Sequence, residues 1–256
     1  MAEVRVLSQH QRQPREGNSE SVYCVFWYLK CNLKYISGMI VFDSKIPDID
    51  EKLFHPSDKS VWEDLYLDTE EAIRGNDPPP RVRPVYVGCY VDADHAGNLL
   101  ARRSHTGIII FVNNSPIIWY IKRHNTVESS RFGSEFIALR IATEMIEGLR
   151  YNLRMFGVTI DGTTDVFCDN QSVVTNVSIP SYVLNKKYNS ICYHRVREAH
   201  TDGTIKIGWI SGDYNKSDIG TKTTIHTNRR YELLNYIFNE KLSTITKKYH
   251  GNDSET

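Results

Sequence analysis

The sequence predicts an α/β domain: a mixed five-stranded sheet with flanking helices, preceded by a small helical N-terminal segment. Three observations carry that prediction. From residue 85 onward, apolar runs of strand length alternate with long runs of helical period. The first three strand-like runs are joined by short polar turns, which implies antiparallel neighbours. The later ones are separated by helices, which permits parallel crossovers. The composition agrees with a globular chain: of 256 residues, 40% are hydrophobic, 24% charged and 11% aromatic. That excludes disordered, collagen-like and coiled-coil classes.

The elements follow in order. Residues 14–33 read as an amphipathic helix, with Val22, Val25, Phe26, Leu29 and Leu33 on one face. Gly38–Phe42 is strand-like. Residues 43–84 are acidic and contain Asp77-Pro78-Pro79-Pro80, which continues neither helix nor central strand. That stretch reads as a linker with little structure of its own, apart from a short acidic helix over 61–71. Strands follow at Val85–Val91, Thr106–Val112 and Pro116–Ile121, the last two joined by Asn113-Asn114-Ser115. A long helix spans Ser130–Phe156, with Ser129 or Ser130 to cap it and Gly157 to end it. A strand at Thr164–Cys168 leads into a short helix. Then come a helix around Asn189–Ala199, a strand at Ile205–Ile210, and helical stretches at Asn215–Lys222 and Arg229–Phe238. The tail from Thr246 is polar and expected to fray.

No apolar run approaches the roughly 20 residues of a membrane helix, and the N-terminus carries no signal-peptide core. The five cysteines form no Cys-x-x-Cys pair, so a disulfide framework and a four-cysteine zinc site are both disfavoured. The 31 basic and 31 acidic residues balance. Residues 1–80 carry a balance of −5 and residues 81–256 one of +5, an asymmetry that suggests two segments with different roles.

Four acids stand at the ends of predicted elements. Asp92 ends the first strand, and Glu135 lies about one turn into the long helix. Asp169 ends the fourth strand, and Asp218 opens the last helical region. In open α/β sheets, sites assemble in the crevice beyond the strand ends. Carboxylates converging there repel one another unless a cation compensates them. Oxygen-only donors suit Mg2+ or Mn2+, and a pair of such ions is the usual device for in-line phosphodiester displacement. Taken singly, each acid also has an ordinary reading: Asp169 and Asp218 as helix N-caps, Glu135 as a solvated first-turn charge.

The residues around these acids carry a resemblance. Val91-Asp92-Ala93-Asp94-His95-Ala96-Gly97, followed by Arg102-Arg103-Ser104-His105-Thr106-Gly107, resembles the opening of the ribonuclease H domain in copia-type retrotransposon Pol polyproteins. Ile117-Ile118-Trp119, Lys122-Arg123 and Ser134-Glu135-Phe136-Ile137-Ala138-Leu139 are similar to its second block, and Cys168-Asp169-Asn170-Gln171-Ser172 to its third. Tyr193-His194, Arg197-Glu198 and Ser217-Asp218-Ile219-Gly220-Thr221-Lys222 complete the series. Residues 1–43 resemble the end of the reverse transcriptase region in the same polyproteins, without its Tyr-x-Asp-Asp turn. The implied organisation is a reverse transcriptase remnant (1–43), an acidic Pro-containing linker (44–83), a ribonuclease H-like domain (84–240) and a flexible tail (241–256).

The resemblance implies a divalent-metal-dependent endonuclease that hydrolyses the RNA strand of RNA–DNA hybrids, without polymerase activity. It implies two ions, Mg2+ or Mn2+, held by Asp92, Glu135, Asp169 and Asp218. Arg102, Arg103, Lys122, Arg123, Asn170 and Gln171 become candidate nucleic-acid contacts. The expected partners are the hybrid and a reverse transcriptase domain in a full-length polyprotein, with no membrane. The expected location is intracellular, in cytoplasm, virus-like particle or nucleus. The alternative is a nucleic-acid-binding relic of the same fold that turns over weakly or not at all. Four departures bear on it: Tyr188 stands where the family carries His, Ser217 where it carries Ala, Thr223 where it carries Pro, and Arg131 where a small hydroxyl residue is usual.

Other features have ordinary readings. Asp94 is read as a surface acid before a supporting one. Cys192, His194 and His200 do not have zinc spacing. Cys168 reads as a buried strand cysteine. Trp119 or Tyr120 fills the core while its neighbour faces out. Gly97 and Gly107 read as turn glycines. His124, Arg195, Arg197, Arg229 and Arg230 are further basic groups.

Overall fold

A computed structural model describes residues 49–55, 62, 65–66, 71, 77–96, 102–125, 127–181, 190–222 and 227–238. The expected helix over 14–33, the strand Gly38–Phe42 and the tail 241–256 lie outside the described residues. So do Gly97, Tyr188, Thr223 and most of the acidic helix expected over 61–71.

Five strands form one sheet: β1 (Val87–Asp94), β2 (His105–Val112), β3 (Ser115–Arg123), β4 (Thr164–Cys168) and β5 (Ile205–Trp209), in the order β3-β2-β1-β4-β5. β1–β2 and β2–β3 pair antiparallel, while β1–β4 and β4–β5 pair parallel. The β2–β3 turn is short because Asn113 tolerates a φ of 53°. Its side chain also accepts a hydrogen bond from the Tyr86 N–H at 2.9 Å.

Helix α1 (Arg131–Met155) begins where the Ser130 side chain accepts from the Gly133 N–H at 3.1 Å. It ends before Gly157, whose φ of 76° is the left-handed turn that stops a helix. Its buried stripe, including Phe136, Ala138, Leu139, Ala142 and Ile146, packs on Val87, Cys89, Val91, Ile108 and Ile110. Phe156, expected as the last residue of this helix, lies just beyond it and is 73% exposed. Among the described residues four more helices follow: α2 (Gln171–Ser178), α3 (Ser190–Thr201), α4 (Asp218–Thr221) and α5 (Thr227–Phe238). The opposite face of the sheet carries a smaller cluster of Ile109, Phe111 and Ile237.

The acidic stretch before β1 is not free of structure. Phe54 is buried and bridges Gly208 on β5, and Glu51 pairs with Lys206 at 2.5 Å. Trp62 is 2% exposed, with the Arg197 guanidinium 4.6 Å from its ring centre. Glu71 takes a two-pronged ion pair from Arg150, both contacts at 2.7 Å. Aromatic anchors spaced this widely form no period, so the sequence reads as a linker where the structure has a strap.

Candidate active site

Asp92 lies on β1 two residues before its end, since the strand continues to Asp94. Its register partner on β2 is Gly107. Gly107 is therefore a strand glycine, where a turn glycine was expected. A Cβ there would lie 2.6 Å from Thr221 Cγ2 and 3.0 Å from the Ser217 carbonyl oxygen. Its absence lets α4 press against the sheet, so that Thr221 Oγ1 donates to Asp92 Oδ2. The turn before α4 is pinned as well. Asn215 Nδ2 donates to the Val91 carbonyl at 3.0 Å, and Ser217 Oγ donates to Asn215 Oδ1 at 2.5 Å.

The structure brings the four predicted acids to one place. Ligand oxygens of Asp92, Asp169 and Asp218 lie within 4.8 Å of one another, and Glu135, Cys168 and Asp169 form a second such group. Asp169 belongs to both. Neither Asp169 nor Asp218 is a cap, because Asn170 and Ser217 hold the N-cap positions. Asp92, Glu135 and Asp218 are buried. Among the described residues, five carboxylate oxygens of this group lack a hydrogen bond of ordinary geometry: Asp92 Oδ1, both Glu135 oxygens, Asp169 Oδ1 and Asp218 Oδ1.

Burial, with the nearby Asp218 charge second, holds the Asp92 carboxyl well above the usual carboxylate range. Burial also raises Glu135, with Asp92 and Asp169 adding to it. Asp218 is raised by burial, against the opposing effect of Lys222, whose ammonium sits 2.5 Å from Asp218 Oδ2. Arg229 stands 3.7 Å from the same oxygen, and Arg131 stands 3.8 Å from Glu135 Oε1. Dry, crowded carboxylates with unpartnered oxygens fit divalent cations. Cys168 ends β4 as a buried strand cysteine, and burial pushes its thiol well above the usual range.

The four candidate basic contacts gather at the same end of the sheet. Lys122 pairs with Thr106 and Arg123 with His105, level with the Ala93–Asp94 end of β1. Arg102 and Arg103 immediately precede β2; Arg102 is exposed and Arg103 half-buried. Two strand spacings put Lys122 and Arg123 about 10 Å across the sheet from β1. Asn170 caps α2 by accepting from the Val173 N–H at 3.4 Å, and Gln171 is exposed beside it.

Other basic groups serve the fold. Arg197 is 2% exposed and donates to the carbonyls of Asn176 and Pro180. Arg195 pairs with Glu147, and buried His124 meets Thr106 Oγ1 at 2.6 Å. Asp94 is not the plain surface acid expected: it accepts from the His105 N–H and meets that ring's Nδ1 at 2.9 Å. His194 Nδ1 meets the Tyr66 hydroxyl at 2.7 Å. Among the described residues no metal-competent group includes Cys192, His194 or His200. Trp119 is the outward residue of its pair, and Tyr120 packs on the core.

Three antiparallel strands followed by two parallel ones, with carboxylates from β1, α1, the end of β4 and α4 meeting beside the central strands, define a ribonuclease H-like fold. The chain is similar over about half its length to retrovirus-related Pol polyproteins of plant transposons. It is 30% identical over 139 residues to that of transposon TNT 1-94 from Nicotiana tabacum, a match covering 54% of this chain and 10% of the relative. It is 24% identical over 138 residues to that of transposon RE1 from Arabidopsis thaliana, covering 54% and 9%. The match thus spans about a tenth of these relatives' length. Among solved structures, RNase H1 from Halobacterium salinarum is 17% identical at a TM-score of 0.41, over 57% of this chain and 98% of that one. No protein-family model matches. Among the described residues, no helix is long and apolar enough to cross a membrane.

Proposed function

We propose that this chain carries a divalent-metal-dependent ribonuclease activity on the RNA strand of RNA–DNA hybrids. The observation that supports it most is the meeting of Asp92, Glu135 and Asp218 around Asp169, buried and with unpartnered oxygens. These four residues would hold two Mg2+ or Mn2+ ions. Bound there, the ions supply an activated water and charge stabilisation at the leaving 3′ oxygen. The protein's own groups do the rest. Thr221 orients Asp92, while Lys222 and Arg229 hold Asp218. Arg102, Arg103, Lys122 and Arg123 neutralise phosphates along the hybrid, and Asn170 and Gln171 meet it at the head of α2. In a longer polyprotein the neighbouring domain would be a reverse transcriptase. No polymerase activity is assigned to this chain.

The experiment is strand-specific cleavage. With a labelled hybrid, duplex DNA and single-stranded RNA, the expected product is cut RNA from the hybrid alone, abolished by chelator. Cleavage that ignores the chelator would reject the reading. A second reading, hybrid binding without turnover, is favoured by Arg131 beside Glu135, a cation already placed where an ion would compete.

A further inference from the structure

We propose that Trp209 is a nucleic-acid contact, its indole face carrying the nucleotide next to the scissile phosphodiester. The proposal rests on the hybrid-nuclease reading and adds to it a residue that no motif marks.

Trp209 ends β5, in parallel register with Cys168 on β4. The Ile210 N–H donates to the Cys168 carbonyl at 3.0 Å, which fixes the backbone beside Asp169. By strand alternation Trp209 shares its face with Ile205 and Ile207, which are 0% and 1% exposed. Trp209 breaks that pattern at 40% exposure. The indole is thus open to solvent at the end of a face whose other residues on β5 are dry.

The ring is open without being loose. Its Nε1–H donates to the main-chain carbonyl of Asp169 at 3.2 Å. One edge of the indole is thus tied to the acid shared by both metal-competent groups. The chain then curls round that acid, since a Cβ on Gly212 would lie 3.3 Å from Asp169 Oδ2. A phosphodiester drawn to Asp169 therefore has its flanking nucleotide beside a pre-oriented aromatic surface. Aromatic faces take bases or sugars by stacking with little regard to sequence, which suits a nuclease that must accept any hybrid. Trp119 does not compete for this role. It is 50% exposed on β3, paired with Ile109 and two rows from Gly107.

The test is hybrid affinity in EDTA and in Ca2+, by anisotropy of a labelled hybrid, with the full chain as wild type, Trp209→Leu and Trp209→Phe. Phe keeps an aromatic face and loses the N–H to Asp169; Leu loses both. Trp209→Leu should weaken binding about tenfold, within the range for one stacked aromatic, while Trp209→Phe holds wild-type affinity. Equal loss in both variants would make Trp209 a support for Asp169 only and overturn the proposal. Unchanged affinity in Trp209→Leu would overturn it too. If that variant does not fold, the Trp209 emission decides, taken as wild type minus Trp209→Phe. Quenching by added hybrid is expected, and its absence overturns the proposal. A folded wild type that binds no hybrid would remove the nuclease reading itself, and the Trp209 assignment with it.

Discussion

Gly107 faces Asp92 across β1 and β2 and leaves the space that α4 fills. One of the atoms a Cβ would strike is the Ser217 backbone oxygen, which cannot rotate away. Gly107→Ala should therefore destabilise the protein by about 1–3 kcal/mol, as overpacking does. It should also lower cleavage by parting Asp92 from Asp218. Gly148 in α1 supplies the contrast, since an added Cβ meets nothing within 4 Å. Gly148→Ala should gain about 0.5–1 kcal/mol of helix propensity. Denaturant midpoints of both variants check the pair; equal effects would contradict the packing argument. The grouping of the four acids was legible at this scale, because each stands in a motif block near the end of a predicted element. Gly107 was not, because a glycine beside polar residues has the same sequence signature in a turn and in a strand.

Among the elements, the strap before β1 holds the side of the domain formed by β5, α3 and the end of α1. Its strongest polar anchor is Glu71, which also takes Arg154 at 2.5 Å. Despite partial burial, the arginines hold the Glu71 carboxyl below its usual range. Arg150 is 3% exposed, so losing its partner leaves a buried charge uncompensated. Glu71→Gln should destabilise the domain by roughly 3 kcal/mol, measured by urea unfolding. A change near zero would mean that the strap is not coupled to the fold. Apolar runs of strand length bounded by turns and helices made the five strands legible, and the Ser130 cap with Gly157 framed α1 to within a residue or two. The strap was illegible for a physical reason: Phe54, Trp62 and Glu71 each bind a different element and share no periodicity.

For the whole molecule, titration divides by sign. Burial lowers His124 and His200 to about 4. Between that value and the unfolded pKa near 6.5 the folded state binds fewer protons than the unfolded one. Their contribution is present above about pH 6.5 and is lost as pH falls towards 4. His200→Gln should flatten that acid limb in unfolding midpoints taken across this window; an unchanged slope would contradict the assignment. The site acids act the other way. Raised carboxyls favour the protonated folded state, so the metal-free protein loses stability as pH climbs past the ordinary carboxylate range. Mg2+ should therefore raise the melting temperature more at pH 8 than at pH 5, since bound ions need deprotonated ligands.

The central claim is that four carboxylates form one metal-dependent nuclease centre. Its most direct test is the rate of RNA-strand cleavage in a labelled hybrid with Mg2+ or Mn2+, for wild type, Asp92→Asn, Glu135→Gln, Asp169→Asn and Asp218→Asn. Metal-dependent cleavage is expected from the wild type and a loss on the order of 100-fold or more from each variant, with melting temperatures no lower than the parent's. A folded wild type that binds the hybrid and never cuts it, or variants that cut at the parent's rate, would contradict it.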